Sequence, residues 1–241
     1  MLWALILPVV AAFDRGDHDE VAREGAKLGA AGLAPLLRSD RADAAIEAAA
    51  SAPDGYELLV DLAAVAGGWD RARAAPAARV AAHIADAMDD ATERDLPDDA
   101  LAAAQDAWAA IARAPDRWAD VRVHALEVAA HVARARHAGL GYDLAAFLHD
   151  PDPEVRRAAI ELVPAPLPAD LLAPIAAAIS ADDDDTVALA AAQIVCGELA
   201  SAPADPIVAA VGDRGLDRIR ALVRSHPKSI EAKRCLRYDR Q

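Results

Sequence analysis

Apolar residues along this chain recur at three- and four-residue spacing, and nowhere do they alternate with polar ones over a strand's length. That period predicts helices throughout and no sheet. In "DPDPEVRRAAIELV" (residues 150–163), Asp152 stands as N-cap and Pro153 as first helical residue, where its missing N–H costs no hydrogen bond. Val155 and Ala159, four apart, then share one face. Further apolar helical segments run over 56–65, 101–111, 142–148, 171–179 and 216–223, and Pro53, Pro97, Pro115, Pro164 and Pro203 punctuate the gaps.

The pattern repeats along the chain. "VRVHALEV", starting at Val121, aligns with "VRRAAIEL", starting at Val155, at an offset of 155 − 121 = 34, and a further step of 187 − 155 = 32 reaches "VALAAAQI". "DAAIEAAA", from Asp43, joins the frame through Ala45, Ile46 and Glu47, and "APAARVAAHIA", from Ala75, overlays "VHALEVAAHVA", from Val123. In three of these units Val121, Val155 and Val187 precede Ala125, Ala159 and Ala191 by four, which predicts a buried column where a small side chain admits a neighbouring helix. Asp184 falls in the capping position of Asp152. Antiparallel helix pairs repeating at this period describe an α-solenoid.

At this point the chain resembles the HEAT-like repeats of the short bacterial kind, most clearly in "AAFLHDPDPEVRRAAIELV" (residues 145–163) and less closely over 33–223. The resemblance implies an all-α fold, a right-handed α-solenoid of about six degenerate HEAT-like helical hairpins over 14–241. It also implies a non-catalytic scaffold that binds a protein partner through its second helices. Arg122, Glu127, His131, Arg156, Arg157 and Glu161 are the second-helix positions expected to be exposed for that purpose. The family's ladder of turn Asp and helix Arg maps onto Asp152 and Arg156, and onto Asp120 and Arg122, but position 188 is Ala where Arg is expected. A minority of relatives are similar to bilin lyases or DNA glycosylases, so a ligand-handling or enzymatic protein is the alternative, requiring a groove lined by Trp and carboxylates.

Composition narrows the field. The chain is 55% hydrophobic but only 4% aromatic, with alanine predominant, which suits closely packed helices. A net charge of −14 opposes binding to nucleic acid or anionic membrane. The charge is uneven: residues 213–241 hold nine Lys or Arg against four Asp or Glu, hence +5, leaving −19 on residues 1–212. An acidic neutralising partner of a basic toxin is therefore a third reading. No Gly-x-Ser-x-Gly, phosphate loop or Gly-rich dinucleotide turn is present, so no catalytic residue and no cofactor is assigned, and a monomer is expected.

"MLWALILPVVAA" at residues 1–12 is apolar all round and too short to span a bilayer. Read as a secretory segment, it predicts cleavage near Ala12 and export, the preferred reading; read as a first capping helix, it leaves a cytoplasmic protein. Cys196 and Cys235, 39 residues apart, lie about one repeat apart, close enough to bridge if their alpha carbons fall within about 7 Å. A bridge and two free thiols both remain open, tied to the compartment.

His124 and His131 share a face, with His83 one unit earlier, but seven-residue spacing is poor for zinc and no metal site is assigned. The run Asp182, Asp183, Asp184, Asp185 lacks the alternation and terminal Glu of a calcium loop. "GGWD" at 67–70 reads as a turn between helices, and Trp69, Trp108, Trp118 and Tyr142 read mostly as core or ridge fillers.

Overall fold

The computed structural model describes residues 2–89, 97–138 and 144–237 and, among them, holds helices and no strand. Two compact units divide the chain, Met1–Tyr142 and Asp143–Gln241. Tyr142, an aromatic candidate and the start of one expected helix, lies outside the described residues.

In the first unit, α1 (Leu2–Asp14), α3 (Ala42–Ala49), α5 (Arg71–Asp89) and α7 (Ala119–Ala135) form one layer, and α2 (His18–Leu37), α4 (Leu59–Ala66) and α6 (Asp98–Arg113) form the other. Each helix of the second layer pairs with the next in sequence, giving the hairpins α2/α3, α4/α5 and α6/α7. The core between layers holds Leu33, Leu58, Leu59, Leu62, Leu101, Trp108 and Leu126, all buried. The Trp108 indole N–H would be an unmet donor there, and it donates to the Leu59 carbonyl at 2.9 Å.

Helix α1 docks on α2 and α3 with Ile6, Val9 and Ala12 buried. Cleavage near Ala12 would therefore strip core side chains from this unit. Helix α2 breaks at Gly29, whose φ of 60° favours glycine. The Asp54 carboxylate fills the break, accepting from the Ala30 N–H at 2.7 Å. It thereby supplies the cap that a restarted helix needs.

In the second unit, α9 (Pro153–Glu161), α11 (Asp185–Gly197) and α13 (Ile230–Cys235) form one row. Helix α10 (Ala169–Ala181) and α12 (Ala204–Ser225) pack behind them, and the short α8 (Leu144–Phe147) contacts α9. The capping arrangement is the one the sequence predicts: Asp152 accepts from the Glu154 N–H with Pro153 opening α9, and Asp184 accepts from the N–H groups of Thr186 and Val187. The predicted columns are interior, since Val121, Val155, Val187, Ala125, Ala159 and Ala191 are all buried.

Cys196 and Cys235 stand at disulfide distance, their alpha carbons 5.3 Å apart, and both side chains are buried. The pair ties α13, the last element, to α11. Closing a loop of this length stabilises by roughly 3–4 kcal/mol in the chain-entropy model. Chemical unfolding with and without a thiol reductant should show the second unit weakened by reduction. Coincident transitions would mean the thiols are unbridged or the bridge is energetically idle.

Close helix approach yields a second expectation. A Cβ built on Gly25 of α2 would lie 2.7 Å from the Ala48 carbonyl oxygen and 2.8 Å from the Ala48 Cβ of α3. Backbone cannot rotate aside, so overpacking outweighs the better helix propensity of alanine. Gly25→Ala should cost roughly 1–2 kcal/mol in urea unfolding, and an unchanged or raised midpoint would refute the tight α2/α3 contact.

Candidate functional site

The side chains expected to meet a partner fall into two sets, one in each unit. In the first, Arg122 is a correction to the exposed assignment: only 4% of it is accessible, and its Nε–H donates to the Ala112 carbonyl at 3.0 Å. Ala112 lies in the last turn of α6, where carbonyls lack helical partners, and the guanidinium satisfies one of them from α7. His131 is also largely enclosed, its Nδ1 accepting from Arg134 at 2.8 Å and its Nε2 lying 3.9 Å from Asp86. Glu127 is half-exposed and pairs with His124 Nδ1 at 2.8 Å.

In the second unit Arg156 is again a strut. It crosses from α9 to the turn before α11, where its Nε–H and one Nη donate to the two oxygens of Asp182 at 2.8 and 2.9 Å. Its other Nη donates to the Asp150 carbonyl at 2.8 Å. Burial raises the Asp182 carboxyl, but the Arg156 hydrogen bonds and the Asp184 backbone N–H outweigh it and hold the group below the usual carboxylate range. Arg157, 3.5 Å from Glu154, is half-exposed, and Glu161 is exposed.

The residues onto which the turn Asp and helix Arg ladder maps are not paired with one another. Asp152 caps a helix while Arg156 binds Asp182, and Asp120 meets Arg71 at 3.3 Å while Arg122 binds a carbonyl. Arg73 joins α5 to Asp43 at 3.0 Å and to the Asp40 carbonyl at 2.9 Å, and Arg218 reaches Asp185 at 2.6 Å. Ala188, where the resemblance calls for Arg, is buried. The acidic run 182–185 is spent in this way on a strut, a cap and a rung. Among the described residues no group of three or more His, Cys, Asp or Glu is placed to hold a metal.

Trp69 departs from the expectation for the aromatics. It occupies the α4–α5 turn, as predicted for "GGWD", but its side chain is far from filling a core: the residue is 69% exposed. Arg117, from the α6–α7 turn, stacks its guanidinium 3.9 Å from the ring centroid and donates to the Gly68 carbonyl at 3.0 Å. A cation over an indole face is attracted by the ring quadrupole, and the second bond fixes the arginine. The result is an exposed aromatic with one face covered by a guanidinium. Two glycines and an Asp flanking a lone Trp were the available signal, because a turn leaves its side chains little interior to enter.

No protein-family model matches the chain, and no curated protein matches its sequence.

The Arg156–Asp182 pair makes a pH-dependent contribution with a definite sign. Asp182 has a lowered folded pKa, so the contribution is complete above the unfolded value of about 4 and disappears as pH falls through the folded one. Asp182→Asn should cost roughly 2 kcal/mol near neutral pH and flatten the loss of stability as pH falls below about 4. Equal acid sensitivity of wild type and variant in thermal melts would refute the assignment.

Proposed function

We propose that this protein is a non-catalytic, protein-binding scaffold of HEAT-like hairpins stacked in the right-handed sense, about six in number. The repeat period and the buried Val and Ala columns support the architecture, and the paired layers within each unit agree with it. The observation that carries the binding reading is the exposed Trp69 braced by Arg117. Trp and Arg are the residue types that dominate protein–protein binding energy, and an anchor already held in place forfeits less entropy on association.

The rest of the polar inventory fits a passive framework. Arg73, Arg122, Arg156 and Arg218 bind turns and neighbouring helices, so they set the spacing of elements. Arg157, Glu127 and Glu161 remain as outward-facing positions that can tune which partner is accepted.

A direct test uses the protein immobilised by one end and a partner purified from its native cells. Trp69→Ala should weaken that complex by roughly thirtyfold, the hot-spot cost of about 2 kcal/mol, while leaving the melting temperature within error because the side chain is exposed. Unchanged affinity, or failure to recover any saturable protein partner, would overturn the reading.

A further inference from the structure

Helices α1, α3 and α5 share a layer, but α3 is only Ala42–Ala49 while α5 runs Arg71–Asp89. The buried alanines of α5, among them Ala74, Ala77, Ala78 and Ala81, face the unit's interior. Ala72, Pro76 and Val80, spaced by four, form a different stripe of the same helix. Between this stripe and α3 lies a cleft of about 420 Å³. Phe13 of α1, Ile46 of α3, and Pro76 and Val80 of α5 make its floor apolar. Its volume falls in the range of small-molecule sites.

The charges on its rim are unequally committed. Asp43 is paired with Arg73 at 3.0 Å, and Glu47 with His18 Nδ1 at 2.7 Å. Asp14, next to Phe13, is paired with Arg41 at 3.1 Å. Arg79 lines the cleft too, is exposed, and among the described residues has no hydrogen-bond or ion-pair partner. The one rim charge left open is thus a guanidinium, a group whose planar fork suits a carboxylate.

We propose that this cleft is a binding site for a small amphipathic anion, with a hydrocarbon body on Phe13, Ile46, Pro76 and Val80 and a carboxylate on Arg79. The occupant is a monocarboxylate of roughly ten carbons, as the cleft's volume permits. This site goes beyond the scaffold reading and does not rest on it, since Trp69 and Arg117 take no part in the cleft.

The acidic body sharpens the test. With a net charge of −14, long-range attraction favours cations, so a preference for an anion must arise from the local guanidinium. Isothermal titration of the full chain with decanoate, kept below its micelle-forming concentration, should give saturable one-to-one binding. Decylammonium, with the same tail and the opposite charge, should bind about tenfold more weakly or worse. Arg79→Gln should reduce decanoate affinity by about tenfold and leave decylammonium binding no weaker than before. Ala72→Trp, at an exposed position lining the cleft, should abolish binding of both, with circular dichroism and thermal melting confirming that each variant is folded. Absence of saturable decanoate binding, equal affinity for decylammonium, or an unaltered Arg79→Gln variant would each overturn the proposal.

Discussion

Helices in this protein pack at distances that only small side chains permit, and the rest of the structure follows from that constraint. Gly25 faces Ala48 so closely that a single added carbon would strike backbone. Ala125, Ala159 and Ala191 are wholly enclosed, each four residues after a buried valine. Small contacts bring helix backbones together but leave few large side chains to specify register, and only 4% of the chain is aromatic. Beside the large core side chains such as Trp108, Leu59 and Leu126, polar groups join the elements at their ends.

Arginine and aspartate supply those groups at the turns. Asp54 caps the break in α2, Asp152 and Asp184 cap α9 and α11, and Arg73, Arg122, Arg156 and Arg218 each join one helix to a neighbouring helix or turn. The caps satisfy backbone N–H groups at helix starts, and the arginines satisfy carbonyls or carboxylates of neighbouring elements. A guanidinium used this way is unavailable to a partner. The outward-facing chemistry is thereby reduced to residues such as Trp69, Arg79, Arg157 and Glu161, which sit at the edges of that network.

The two surface features of the first unit differ in physical kind. Trp69 with Arg117 presents a convex, oriented aromatic suited to burial beneath another surface. The α1–α3–α5 cleft is concave and apolar, with an uncompensated cation at its rim, and suits a molecule that can enter it. One arises at a turn containing consecutive glycines and the other beside the short helix α3.

Helicity, the capping residues and the interior columns of valine and alanine were legible in the sequence. Each depends on spacing within a single helix or turn, and local geometry follows from spacing alone. The break of α2 at Gly29, the 5.3 Å approach of Cys196 and Cys235, and the burial of Arg122 were decided by the tertiary structure. Arg122 and Arg157 look alike in sequence, as arginines near the start of second helices. One finds an orphan carbonyl at the end of the preceding helix and the other finds solvent and Glu154. Repeat sequence patterns report which face of a helix turns inward, but the fate of a long polar side chain depends on which atoms of other helices lie within its reach, and only the packed chain determines those.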